Sequence, residues 1–109
     1  MNKIDLQKLD NAAFVENNGK IVRLLNILNH DYHKLGEMRH VLKTQGVDDA
    51  GFVESVNFLA RAGYIELRDI NSRVNANLAD WQHYELEAIL SDKGIRLVKG
   101  GIKDNLIEV

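Results

Sequence analysis

Three histidines fall within eleven residues, His30, His33 and His40, with Asp31 between the first two. Imidazoles and a carboxylate are a ligand set for zinc or a related ion, provided they converge to within about 2.0–2.2 Å of one point. On a continuous helix His30 and His33 are near neighbours. His40 lies seven residues beyond His33 and can share that face without reaching the same ion. The segment also reads as interrupted, so exposed or capping histidines are expected rather than a metal centre. A second pair, Glu85 and Glu87, would stand side by side on one face of a strand. Paired carboxylates serve acid–base chemistry, but exposed acids on strands are commonplace. There is no Gly-rich phosphate loop, no metalloprotease helix motif and no nucleophile elbow. A Ser, His and Asp set meets only in the fold, and spacing gives no argument for one. The residue types therefore argue for no enzyme and imply no cofactor.

What must position these groups is a short chain. Its 109 residues, 45% hydrophobic, suffice for one domain with a single core and are too few for two. The absence of cysteine excludes a disulfide framework, a thiolate metal site and a cysteine nucleophile. Fourteen Lys and Arg against sixteen Asp and Glu give a formal charge of −2 and a pI near 6.1. That balance weighs against a nucleic-acid role, because phosphate contacts dominate such affinity and leave a basic footprint. A local basic patch on an acidic protein is still compatible with one. Met1-Asn-Lys-Ile-Asp-Leu lacks the apolar core of a signal peptide, and no run of about 18 apolar residues exists for a membrane span. A cytoplasmic protein without a membrane partner is the expectation.

Periodicity supplies the elements. Ile4, Leu6, Leu9, Ala13 and Phe14 predict a ragged amphipathic helix over 2–16, ended by the turn formers Asn17-Asn18-Gly19. Ile21, Leu24, Leu25 and Leu28 then follow the helical template without interruption and predict a core helix from Lys20. Residues 29–34 read as a connector, with Asp31 placed to cap the next helix, Leu35–Lys43, whose Leu35, Met38, Val41 and Leu42 point inward. Gln45-Gly46 ends it. Asp48 or Asp49 caps a third helix running to Gly63, with Val53, Val56, Leu59 and Ala60 inward. Beyond Gly63 the period shortens: 64–70 and 81–90 read as amphipathic strands around a polar loop, 71–80. Trp81 is expected to anchor that loop against Tyr84 or Ile70, or else to mark an interface. Ser91 caps a last helix over 91–99, and Gly100-Gly101 releases a tail too apolar to be purely solvated. The tail either packs back or lies between subunits.

Two segments carry a family resemblance: Phe58-Leu-Ala-Arg-Ala-Gly-Tyr-Ile-Glu-Leu, and after a polar gap Leu90-Ser-Asp-Lys-Gly94. This order resembles a winged-helix domain over 19–99, of the kind found in small bacterial and phage regulators of MarR or PadR type. The fold class implied is α+β: a three-helix core, a long two-stranded β-hairpin wing, an N-terminal helical extension over 1–18 and a C-terminal tail over 100–109. The resemblance implies a homodimeric regulator that binds double-stranded DNA and lays its third helix in the major groove. Gly51, Glu54, Ser55, Asn57, Phe58 and Arg61 would then face outward, with Asn57 suited to adenine and Arg61 to guanine or phosphate. Lys34, Arg39 and Lys43 on the second helix, and Arg68 and Arg73 in or near the wing, would contact phosphates; ordinary solvated charges are the plainer reading. Leu6, Leu9, Phe14, Phe58, Leu106 and Ile107 are the expected interface residues. Asp49, Glu54 and Phe58 suit a DNA face poorly, so the alternative is a winged-helix protein-interaction module. Phe58 reads equally well as packing beneath the N-terminal helix.

Overall fold

Asn17-Asn18-Gly19, a turn signal in isolation, lies inside one helix. In the computed structural model, which describes residues 3–28, 31–82 and 85–109, helix α1 runs unbroken over Lys3–Ile27. The cause is the chain that presses on it. Asn18 is fully buried, and its Nδ2 donates to the Leu106 carbonyl at 2.8 Å. The Glu108 N–H donates to the Val15 carbonyl at 3.2 Å, and the Arg23 guanidinium donates to the Glu108 carbonyl. A Cβ at Gly19 would overlap that same carbonyl, so only glycine lets the tail cross here. These tertiary contacts outweigh the helix penalty of about 1 kcal/mol that glycine carries. The expected boundary between 18 and 19 thus falls mid-helix, and the tail packs back with Ile107 buried.

The remaining elements are β1 (His33–Lys34), α2 (Leu35–Lys43), α3 (Asp49–Arg61), β2 (Ile65–Asp69), a 3₁₀ helix (Leu78–Gln82), β3 (Leu86–Leu90) and α4 (Asp92–Val98). Together they make an α+β fold whose three-stranded antiparallel sheet has the order β1-β3-β2. Local chemistry sets several ends. Asp48 Oδ1 accepts from the Gly51 N–H at 2.7 Å and starts α3. Ser91 Oγ accepts from the Gly94 N–H at 3.1 Å and starts α4. Gly63, at φ +85°, closes α3 and turns the chain into β2. The cap expected at Asp31 does not form: its carboxylate accepts from the Tyr32 N–H, and α2 begins without a side-chain cap.

The core sits between the helices and the inner sheet face. Ile65, Leu67, Leu86, Ala88 and Leu90 alternate inward from paired β2 and β3. On α3 the buried stripe is Phe52, Ser55, Val56 and Leu59. Val53, expected inward, is 42% exposed, as is Val41 at 41%. The stripe is rotated from the expected one because a buried serine stands at an apolar position of the true frame. Its Oγ has no hydrogen-bond partner among the described residues.

The two expected strands pair antiparallel, Ile65 with Leu90 through Asp69 with Leu86, but the second starts at Leu86 and the tip is not an open loop. Beyond β2 the chain turns through Arg73, which takes φ +59°. Residues 74–76 then run back along β2: Asp69 N–H donates to Val74 O at 2.9 Å, and Ala76 N–H to Leu67 O at 3.0 Å. The 3₁₀ helix follows, so Trp81 belongs to it and not to a strand. Its ring centroid lies 5.9 Å from that of Phe52 on α3, with the Arg39 guanidinium 5.2 Å above it. Trp81 therefore anchors the loop to α2 and α3, and Tyr84 lies outside the described residues.

Candidate nucleic-acid interface

Helices α2 and α3 are joined by residues 44–48, and α3 offers one open stripe. Ala50, Glu54, Asn57 and Arg61 are all exposed and recur at helical spacing opposite the buried stripe. Other elements adjoin both flanks. On one side Phe14 of α1 meets Phe58 edge to face, with ring centroids 5.1 Å apart. On the other, Leu78 and Ala79 of the 3₁₀ helix line a groove with Val53 and Asn57. The stripe lies between two grooves, one shared with α1 and one with the 3₁₀ helix.

The candidate residues divide accordingly. Asn57 and Arg61 are exposed, and neither side chain has a protein partner among the described residues. Lys34 and Arg73 are likewise exposed. Lys43 and Arg39 are exposed but shared with Asp49, at 3.6 Å and 4.0 Å. Such surface pairs contribute about 0–1 kcal/mol, yet they lower the positive potential of α2. Arg68 is tied to Glu87 and stacks 3.5 Å from the Tyr32 ring centroid, which also removes Glu87 from any free carboxylate pair with Glu85. Ser55 is corrected: fully buried, it cannot reach a groove. Gly51, half-buried, is corrected too: it faces Asn17 of α1 rather than solvent.

Among the expected interface residues, Phe58 and Phe14 pack on each other within the chain and Ile107 is in the core. Leu9 and Leu106 remain exposed, at 55% and 45%. The Leu6 side chain lies outside the described residues. So do His30 and His83. His33 Nε2 is 2.8 Å from the Leu28 carbonyl. No group of three or more potential ligands gathers among the described residues.

Two features carried no sequence signal. Tyr64 Oη donates to Asp104 Oδ2 at 2.6 Å; burial first, then that bond and the carboxylate charge, push the phenol up to about 12. Asn75 and Asn77 join Asn57 around a cavity beside α3. No described helix is long and apolar enough to cross a membrane. Compared with known proteins, the chain matches no family model, no curated protein and no solved structure.

Proposed function

We infer that the chain is a winged-helix domain and a small cytoplasmic DNA-binding regulator, acting as a homodimer whose α3 helices address neighbouring half-sites. The observation that carries this reading is the pairing of Asn57 and Arg61, unpartnered and exposed on the open stripe of the second helix of a helix-turn-helix. The element order and the β1-β3-β2 sheet support it. Arg73 and Lys34 supply phosphate contacts from the hairpin and from the residue before α2. Of the expected interface residues, Leu9 and Leu106 are exposed and available to a second subunit.

Titration of the purified chain against random-sequence duplex DNA, followed by fluorescence anisotropy, tests the reading. With three phosphates neutralised, affinity falls about fortyfold for a fourfold rise in salt. No binding at low salt, where non-specific contacts are strongest, defeats it.

One observation favours a second reading, docking of a protein. Asp49 and Glu87 offset three of the candidate cations, and Val53 is exposed beside Leu78. An apolar contact of that kind is insensitive to salt.

A further inference from the structure

Between the flank of α3, the start of β2 and the returning chain lies a cavity of about 460 Å³. That is within the roughly 300–1,000 Å³ of small-molecule sites. Its apolar side is aliphatic: Ala60, Ile65, Leu67 and Leu78. Its polar lining comes from Asn57, Asn75, Asn77 and Arg61, all exposed; Glu66 borders it from β2, with its side chain on the strand face opposite Ile65 and Leu67. The three amides and the guanidinium have no side-chain partner among the described residues.

This composition selects among ligand classes. A purely apolar guest would displace water from three amides and a charge and offer them no partner in return. A simple aliphatic carboxylate would use Arg61 and leave the amides idle. Each carboxamide offers a donor and an acceptor, which is what the edge of a nucleobase requires. A guanidinium grips a phosphate bidentately. Aliphatic side chains accept the face of a base. We propose that this cavity binds one nucleotide unit, with its base edge on Asn57, Asn75 and Asn77 and its phosphate on Arg61.

The unit can come from a free nucleoside monophosphate or from a single strand. Asn57 and Arg61 belong to both the cavity and the open stripe, so an occupied cavity competes with duplex DNA. That competition rests on the DNA-binding reading; the cavity itself does not.

The test is calorimetric titration of the full chain with the four common nucleoside 5′-monophosphates, with adenosine, and with a short single-stranded oligonucleotide. Expected is 1:1 binding of at least one monophosphate, about tenfold or more tighter than the nucleoside lacking phosphate. Arg61→Gln abolishes that difference. Asn77→Ala weakens the monophosphate about tenfold, as loss of one well-made bond does, and leaves duplex binding unchanged. Binding of the oligonucleotide alone, weakened by Asn77→Ala, assigns the cavity to a nucleotide within a strand. No binding of any of these probes at millimolar concentration overturns the proposal, as does binding indifferent to both substitutions. Duplex binding without any competing monophosphate would defeat the inference and spare the DNA reading. Monophosphate binding without duplex binding does the reverse. Both altered residues are at the surface, and unchanged thermal melts show that the variants fold.

Discussion

Helix α1 and helix α3 each have a strand of chain laid across them, and the two seams are built differently. The tail crosses α1 through main-chain and amide hydrogen bonds, at a glycine with no room for a methyl group. The 3₁₀ helix meets α3 through the Phe52–Trp81 ring contact, with Leu78 also packed on the core, and leaves a groove and a cavity beside it. Along the first seam most polar groups are satisfied inside the chain. Along the second, amides and a guanidinium wait for partners. On the proposed reading the first seam serves stability and the second recognition, and substitutions should separate them.

The largest expected effect is at the closed seam. Gly19→Ala forces the tail off α1 and exposes Ile107, costing about 3 kcal/mol; a lowered thermal midpoint with faster proteolysis of the tail would show it, and an unchanged melt would refute the closeness of that crossing. At the open seam, replacing Asn57 and Arg61 together by alanine should leave stability within about 0.5 kcal/mol. Duplex affinity should fall by roughly 1–3 kcal/mol for each of the two side chains removed. If the double variant binds DNA as before, the stripe is wrongly assigned.

Smaller effects probe the same division. Tyr64 is linked to the tail through Asp104, and its phenol is raised to about 12 in the folded chain against about 10 unfolded. Between those values the folded chain holds more protons, so stability is complete below about pH 10 and is lost as pH rises toward 12. Tyr64→Phe should flatten that alkaline decline in denaturant titrations and cost about 1 kcal/mol near neutrality. Smallest is Ser55→Ala, which removes a buried hydroxyl with no described partner. It should be neutral or slightly stabilising, and without effect on DNA; a marked loss of affinity would return Ser55 to the reading face.

The sequence was most legible where structure is local. Asp48 and Ser91 cap the helices expected of them, and α2 spans the expected residues, because capping and short-range periodicity are settled by neighbours in the chain. It was least legible where a distant segment decides. Asn18 and Gly19 look like a turn until residues 106–108 lie on them. The two-residue β1 exists only by pairing with Ala88 and Glu87. On α3, Ser55 disguises the buried frame: its polar hydroxyl suggests an outward position and so sets Val53 inward, whereas Ser55 is buried and Val53 exposed. Asn57 and Arg61 are exposed in either frame because they lie near the middle of the true outward stripe.

The return of residues 74–76 along β2 has a consequence for the behaviour of the protein in a crowded solution. A sheet with a long bare margin invites strands from other molecules and so invites aggregation. Here one margin is occupied by the chain's own backbone, through Val74 and Ala76. The other is the two-residue β1, ending on the exposed charge of Lys34. Neither margin offers a foreign strand more than a couple of rungs, so this sheet should resist edge-to-edge growth without needing a partner to shield it.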